Sequence, residues 1–526
     1  MYKIQLNSKF EKKVPKVAII WIPLDDNGYT DIMSINLAYT VKLHKYKNKI
    51  NDINKTLWES IKKYTNPYEL IFLYNTNMYY RKPHKQQNIS KLTPLSRSFF
   101  KMIEILHEFI PSVFSNNVFN SLHIAEGPGG FIEATRYVRH NHTRIRTSTS
   151  ASTSTINNMI ASEKDTAFGI SLIDYAHKNI PSWKQSSYFL KQHPEVYIST
   201  GIDKTGNIYN INNIIYLAQE IQKHTFYKTY ARYDRYNKSN ETTILSRLSL
   251  STLINNDNLD NDNLDNLDND NLDNDNLDNL DNDNLDNDNL DNLDNDNLDN
   301  DTDTINHILD SEITVNGTLK PYDIQETAYI ENNLIDFITA DGGFDYSTEY
   351  NKQEQTSSKL IFTQIITALH CQKYGGDFVC KFFDINAYIT VEMLYILYIS
   401  YETIIIYKPH TSRIANSEKY VICKNYKGIN KHLLNSLFNI LDIWNKETNG
   451  RDKTMNQLFD SIPDDFLNSI KDINIILIDT QINAINNIIN IINTKTNLIQ
   501  EWKTSQIKKH TILAQKWCKQ YNIPYI

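Results

Sequence analysis

His123-Ile124-Ala125-Glu126-Gly127-Pro128-Gly129-Gly130-Phe131-Ile132-Glu133 decides how the rest of the chain is read. Leu122 to Ala125 reads as a short buried strand, Glu126 to Gly130 as a turn that needs glycine, and Phe131 to Arg139 as a helix. Such a turn brings bare backbone N–H groups and a helix N-terminus to one point. In doubly wound α/β folds, ligands bind beside that turn, at the carboxyl ends of the strands. Glu126 argues against a phosphate ligand, because its carboxylate would repel one, and favours a ligand with a cation or hydroxyls. S-adenosylmethionine carries an amino group, a sulfonium and a ribose, and fits better than a nucleoside triphosphate. The same strand, turn and helix also occur as an ordinary connection that binds nothing.

Upstream, Thr93 to Lys101 enters a helix that runs to about Phe109, with Phe99, Met102, Ile103, Leu106 and Ile110 on its apolar side. Residues 1–90 form an N-terminal accessory region expected to pack on the next domain. It holds a strand candidate, Val17 to Ile22, and a helix with Ile53, Leu57, Ile61 and Tyr64 at helical spacing. Its Tyr79, Tyr80, Arg81 and Lys82 suit RNA as well as a solvated helix face. Downstream, an α/β pattern continues through insertions at about 141–165 and 240–320. Strands are expected at Ala167–Ile173, Leu334–Ala340, Gly376–Phe383, Glu402–Tyr407 and Lys419–Lys424, and helices at Ile214–Lys223, Ser357–Gln372 and Val391–Ser400. Residues 431–526 read as helical. The expected fold is a Rossmann-like α/β sheet, mostly parallel with its last strand antiparallel, spanning residues 91–430.

The net charge of −8 hides the character of the body. Asp257 to Asp303 holds 19 Asp and no Lys or Arg, so the other 479 residues carry 54 basic against 43 acidic side chains, a net +11. A basic body permits a polyanion such as RNA. Asn263 to Asp301 is three copies of one 13-residue unit, Asn-Leu-Asp-Asn-Leu-Asp-Asn-Asp-Asn-Leu-Asp-Asn-Asp. It lacks the glycine and closing glutamate of a calcium loop, and its leucines are too sparse for a core, so it reads as a disordered insertion. Replacing 257–303 with a short Gly/Ser linker is therefore expected to move the thermal unfolding midpoint by no more than about two degrees. A larger fall on calorimetry would give the tract a structural part.

Cys371, Cys380, Cys423 and Cys518 form no CxxC pair, and no His cluster has zinc spacing, so neither a disulfide framework nor a metal site is expected. No signal peptide and no uninterrupted apolar run of membrane-spanning length is seen, which points to a soluble protein of a reducing, cytoplasmic compartment with no membrane partner.

Three charged residues stand at expected strand ends: Asp341, Lys381 and Glu418, with Lys101 on the helix before the glycine turn. Each alone has a structural explanation. A lysine inside Phe378-Val379-Cys380-Lys381-Phe382-Phe383 is harder to dismiss, because burying an unpaired ammonium is costly. Methyl transfer to a hydroxyl would give the four a purpose: one lysine accepts the proton, the other depresses its pKa, and two carboxylates orient the amines. The sulfonium is already activated, so the chemistry needs no metal.

These residues, in this order, resemble the RrmJ/FtsJ-like ribose 2′-O-methyltransferases, whose mark is a Lys-Asp-Lys-Glu tetrad. Ser96-Arg97-Ser98-Phe99-Phe100-Lys101 is similar to the family's first-lysine helix, and Glu126-Gly127-Pro128-Gly129-Gly130-Phe131 to its cofactor loop. Ala340-Asp341-Gly342-Gly343, Gly375 to Lys381 and Lys408 to Tyr420 are similar to the segments of its aspartate, second lysine and glutamate. The resemblance implies a catalytic set of Lys101, Asp341, Lys381 (the general base) and Glu418. It also implies a S-adenosylmethionine site of Glu126, Gly127, Pro128, Gly129, Gly130, Phe131, Asn207 and Asp341. The Gly201 to Ile208 segment looks like that of the cap-modifying members, particularly the Adrift-type and large-DNA-virus enzymes, although Asn207 stands where they often have Asp. Capped mRNA is then the expected partner, with internal ribosomal or transfer RNA, or a non-catalytic RNA-binding scaffold, as alternatives. The Asn/Ile/Lys/Tyr-rich composition resembles that of A/T-rich genomes, some giant viruses among them.

Overall fold

The computed structural model describes residues 2–6, 10, 12–23, 33–73, 88–148, 165–173, 183–237, 335–344, 350–447, 453–494 and 498–526. The Asn/Leu/Asp repeat, Thr147–Thr155 apart from its first two residues, and Tyr79 to Lys82 lie outside them. The chain divides into a body, Met1–Thr229 with Pro321–Ile526, and a second unit, Tyr230–Lys320. Of the second unit the described residues are 230–237, the end of the helix Ile211–Asn237.

The body is built on an eight-stranded sheet, in the order β1-β8-β9-β7-β6-β3-β4-β5. The strands are β1 (Tyr2–Gln5), β3 (Asn120–Ile124), β4 (Thr166–Ile170), β5 (Val196–Ser199), β6 (Ile335–Ala340), β7 (Gln372–Phe382), β8 (Tyr401–Lys408) and β9 (Lys419–Tyr426). From β5 to β7 all pairings are parallel, and β9 runs antiparallel between β7 and β8. The chain leaves β3 for β4 and β5, then crosses back to β6 on the other side of β3. That reversal opens a crevice at the carboxyl ends of β3 and β6, the place where doubly wound sheets bind ligands.

Alternation along each strand feeds two cores. Phe378, Cys380, Val421, Cys423, Ile404 and Ile406 face one side, with the helices Gln353–Cys371 and Tyr388–Ser400. Val379, Ile422, Tyr420, Ile405 and Tyr407 face the other, with Phe99, Met102, Ile103 and Leu106 of the helix Ser98–Phe109. Lys381 therefore falls on the face covered by the helix that carries Lys101.

Three strands depart from the sequence reading, one of them β5, the edge strand beside β4. β1 adds an antiparallel edge strand to β8. A separate ribbon pairs β2 (Val17–Pro23) with β10 (Lys453–Phe459), inside a stretch expected to be helical throughout. Lys-Thr-Met-Asn-Gln-Leu-Phe has no helical apolar period, and its partner lies more than 400 residues away, so only the fold reveals the pairing. One helix among the described residues, Asp464–Thr494, is long and apolar enough to cross a membrane by length and composition. Here Ile470, Ile473 and Leu477 join the main core, while Ile485, Ile488 and Ile492 pack with Ile50, Trp58 and Ile61.

Candidate active site

The turn after β3 begins with Ala125 in the left-handed region, φ +56°, which a side chain adopts only where its surroundings impose it. Ala125 and Gly127 then form one wall of a cleft of about 710 Å³. Ser171, Leu172, Gly206, Asn207, Ile208 and Tyr209 continue that wall, and Asp341, Gly342, Gly343, Lys381 and Glu418 form the next. Beyond them the N-terminal region closes the far end with Ile50, Trp58, Glu59 and Lys62.

The four charged residues come together as two pairs. Lys101 Nζ lies 2.7 and 2.9 Å from the two carboxylate oxygens of Glu418. Lys381 Nζ lies 3.2 Å from Asp341 Oδ1 and donates to the Asp341 carbonyl at 2.7 Å. All four side chains are largely buried, with 12–18% of their surface exposed. Burial works to raise the Glu418 carboxyl, but Lys101, Lys381 and Lys408 outweigh it and hold it down at about 2. Tyr420, opposite Lys381 in the β7–β9 ladder, donates its hydroxyl to Asp341 Oδ1 at 3.1 Å. Burial and the neighbouring Asp341 push that phenol well above its ordinary value, so it stays a donor. Gly343 packs closely on Lys381, and a Cβ there would stand 3.1 Å from its Nζ.

The glycine turn is organised differently from the expectation. Glu126 does not line the cleft. Its carboxyl turns under the turn and accepts from the Thr339 hydroxyl, with Oε2 3.3 Å from His123 Nδ1. Burial drives it above the ordinary carboxylate range, so it is no surface anion facing a cationic ligand. Phe131 is likewise core, 5.8 Å from the Tyr420 ring. Pro128, Gly129 and Gly130 are also absent from the cleft wall. Gly130 is needed for packing, since a Cβ would meet the hydroxyls of Ser96 and Ser98 within 2.2 Å. The turn and the Ser-Arg-x-x-x-Lys helix thus fit against each other.

Beside Asn207, which was expected in the cofactor site, the cleft wall holds residues that the sequence left unnamed. Ser171 Oγ accepts from Gly127 N–H at 3.3 Å. Gly206, φ +63°, lies so close to the Ser171 carbonyl that a Cβ would come within 2.1 Å of its oxygen. Asp203 ties down that loop by accepting from Thr205, Asn210 and Asn213. Asn207 lines the cleft, with its Oδ1 accepting from Tyr209 N–H at 3.0 Å. The signal in sequence was the Asp-Lys-Thr-Gly-Asn turn itself, which marked a loop and not its partners. No group of three or more His, Cys, Asp or Glu side chains among the described residues could hold a metal ion.

The loop from Lys408 to Glu418 is braced from every side. Lys408, which burial takes down to about 7, donates to the carbonyls of Asn416 and Glu418. Glu104 accepts from His410 N–H at 2.7 Å and from the Trp517 indole at 3.1 Å. Gln481 donates to the Ala415 carbonyl at 3.1 Å.

The FtsJ-like methyltransferase family model matches residues 258–426, about a third of the chain, including Asp341, Lys381 and Glu418. Three curated relatives named cap-specific mRNA (nucleoside-2′-O-)-methyltransferase 1 or 1A are similar over shorter stretches. The one from Xenopus laevis is 41% identical over 106 residues (20% of this chain, 12% of the relative), and that from Mus musculus 44% over 93 residues (18% and 11%). The Caenorhabditis briggsae protein is 37% identical over 125 residues (23% and 14%). The matched region thus spans only about an eighth of these relatives' length. Residues 258–426, which carry Asp341, Lys381 and Glu418 at the crevice, thus match an FtsJ-like methyltransferase domain.

Proposed function

We propose that the protein transfers a methyl group from S-adenosylmethionine to a ribose 2′-hydroxyl of RNA at or near the mRNA 5′ cap, acting in the cytoplasm. The observation that carries this reading is that Asp341, Lys381 and Glu418 line one wall of a cleft beside a strand-to-helix turn, with Lys381 paired to Asp341 and Glu418 paired to Lys101, which itself does not line the cleft. The cleft suits the cofactor's mixed chemistry. Ser171 and Asn207 offer polar groups for a ribose, Leu172 and Ile208 apolar surface for a base, and Asp341 a carboxylate for a cation. The bound cofactor supplies a methyl group on a sulfonium, already activated for attack by an oxygen nucleophile.

The chain's own residues then do three things. Lys381, held by the carbonyl and carboxylate of Asp341, must first give up a proton to solvent; as the neutral amine it then accepts the proton of the 2′-hydroxyl as the oxygen takes the methyl group and the sulfonium departs as a neutral thioether. Glu418 stays ionised and anchors Lys101, which keeps a positive charge beside the reacting oxygen. Tyr420 holds Asp341 in place, so the Lys381 amine is oriented before substrate arrives.

The cap preference rests on the relatives' names and on the cap-type Gly201 to Ile208 segment. The test is labelled methyl transfer to a short RNA ending in a cap or in a triphosphate, with nucleoside mapping of the product. Capped RNA is expected to react several-fold to roughly thirty-fold faster, the range that cation–π recognition of a methylated guanine supplies. Equal rates, or a methyl at an internal position, would move the reading to ribosomal or transfer RNA. In the same assay, Gly206→Ala is expected to weaken cofactor affinity by on the order of ten-fold, because φ +63° and the Ser171 carbonyl leave no room for a Cβ. Calorimetric titration of the cofactor checks it.

A further inference from the structure

Glu69 lies outside every motif considered above, in the one-turn 3₁₀ helix Pro67–Ile71 of the N-terminal region. Its side chain is buried, 3% exposed, and meets two guanidinium groups. Oε2 accepts from Arg97 Nη1 at 2.7 Å, and Oε1 from Arg413 Nε at 2.6 Å. Arg413 Nη2 also reaches Oε2 at 3.3 Å.

The two arginines belong to the two elements that must stay together for the Lys101–Glu418 pair to exist. Arg97 precedes the helix Ser98–Phe109 and lies one turn before Lys101. Arg413 sits midway along the loop that ends in Glu418. The same 3₁₀ segment holds the loop a second time, through Asn66, whose amide donates to the carbonyls of His410 and Ser412 at 3.2 Å. Arg97 adds bonds to the carbonyls of Phe72 and Thr411. A buried carboxylate shared by two half-buried guanidiniums is ionised in the fold. Burial opposes this, but Arg97 and Arg413 prevail and hold Glu69 below its ordinary range.

We propose that Glu69 is a positioning residue that bridges Arg97 and Arg413 and so keeps Lys101 and Glu418 at ion-pair distance. The inference rests on the reading of Lys101 and Glu418 as members of the reacting group. It also gives the N-terminal region, which lies outside the stretch matched by the family model, a part in holding the site together. Glu69 is not among the cleft-lining residues, so its effect passes through the two arginines. With Glu69 neutral, Arg413 loses the carboxylate that anchors it, and the loop that ends in Glu418 loses that hold.

The test compares Glu69→Gln and Glu69→Asp with the wild-type full chain by two readouts. In Glu69→Gln, backbone amides of 410–418 are expected to exchange with solvent at least about ten-fold faster, while those of β6 stay unchanged. Turnover at saturating cofactor should fall on the order of ten- to a hundred-fold, because displacement of a reacting group by about an ångström costs that much, while cofactor affinity stays within about two-fold. Glu69→Asp keeps the charge one methylene short, and its turnover should fall between the other two. Unchanged exchange in the 410–418 loop, unchanged turnover in a loosened loop, or loss of cofactor affinity in step with turnover would each overturn the assignment. If Glu69→Gln does not fold, Glu69→Asp decides, and wild-type exchange and turnover in that variant would overturn it. Exchange needs no activity, so a wild-type chain that transfers no methyl refutes the function while the bridge is still judged on the loop.

Discussion

Lys381→Ala is expected to reduce methyl transfer by on the order of 10²- to 10⁴-fold, the usual contribution of a general base, with cofactor affinity almost unchanged. The side chain stands at the end of β7, lines the cleft and hydrogen-bonds to Asp341, while the cofactor-side wall is made by Ala125, Gly127, Ser171 and Asn207. On the proposed role, removing it takes away the proton acceptor and leaves that wall intact. Lys381→Arg is expected to fail almost as completely, because guanidinium does not give up its proton at working pH and its planar fork does not fit the Asp341 carbonyl and carboxylate as an ammonium does. Single-turnover rates on a short RNA, with cofactor binding measured separately, make the check. An alanine variant that keeps half the wild-type single-turnover rate would remove Lys381 from the base's position.

Glu418→Gln is the second large effect. The carboxylate faces Lys101 at 2.7 Å and accepts from the Ser412 hydroxyl at 2.9 Å, and it is the sole anion paired with Lys101 among the described residues. An amide cannot neutralise that ammonium, so a largely buried charge is left without its partner. Turnover is expected to fall by on the order of 10²-fold, as when one preorganised electrostatic group is removed. The pH dependence has a definite sign. The carboxyl is held at about 2, against an ordinary 4.5, so the unfolded chain binds its proton more readily than the folded one. The stabilisation is fully present above the unfolded value and is lost as pH falls through the folded one. Wild-type protein should therefore show no acid limb from Glu418 above about pH 4.5, and the difference in stability between wild type and Glu418→Gln should shrink only below that. Urea unfolding at several pH values reads this directly. A stability difference that vanished already at neutral pH would contradict the ion pair.

Much of this site could be read from the chain because its signals are local. Glycine after a buried strand marks a turn wherever it occurs, and a lysine in the apolar run Phe378 to Phe383 invites a partner whatever the fold. Asp341 and Glu418 were placed by the same logic, at strand ends of a sheet whose β-α alternation is visible in sequence. The direction of Glu126 was not legible. It depends on the left-handed backbone of Ala125 and on Thr339 and His123, which reach it only after β3 and β6 pair. The same limit hid the partnership of Glu69 with Arg97 and Arg413, 28 and 344 positions away. The ribbon of β2 and β10 escaped for the same reason, since neither segment states its partner.

β1 has a consequence for how the molecule is made. Tyr2 pairs with Lys408, and Gln5 with Ile405, so the first strand leaves the ribosome some 400 residues before the strand it must join. At about 5–20 residues per second that interval is roughly 20–80 s, and β2 waits longer still for β10. Through this time two N-terminal segments with unsatisfied ladder groups are open to chaperones or to a neighbouring nascent chain. β9, which sets Tyr420 opposite Lys381, also emerges only after β7 and β8, although it must lie between them. A chain stalled before Lys419 would already carry the glycine turn and Lys381 but neither Tyr420 nor the wedge that seats it. The ladder that sets Tyr420 opposite Lys381 therefore forms only after β7, β8 and β9 have all emerged.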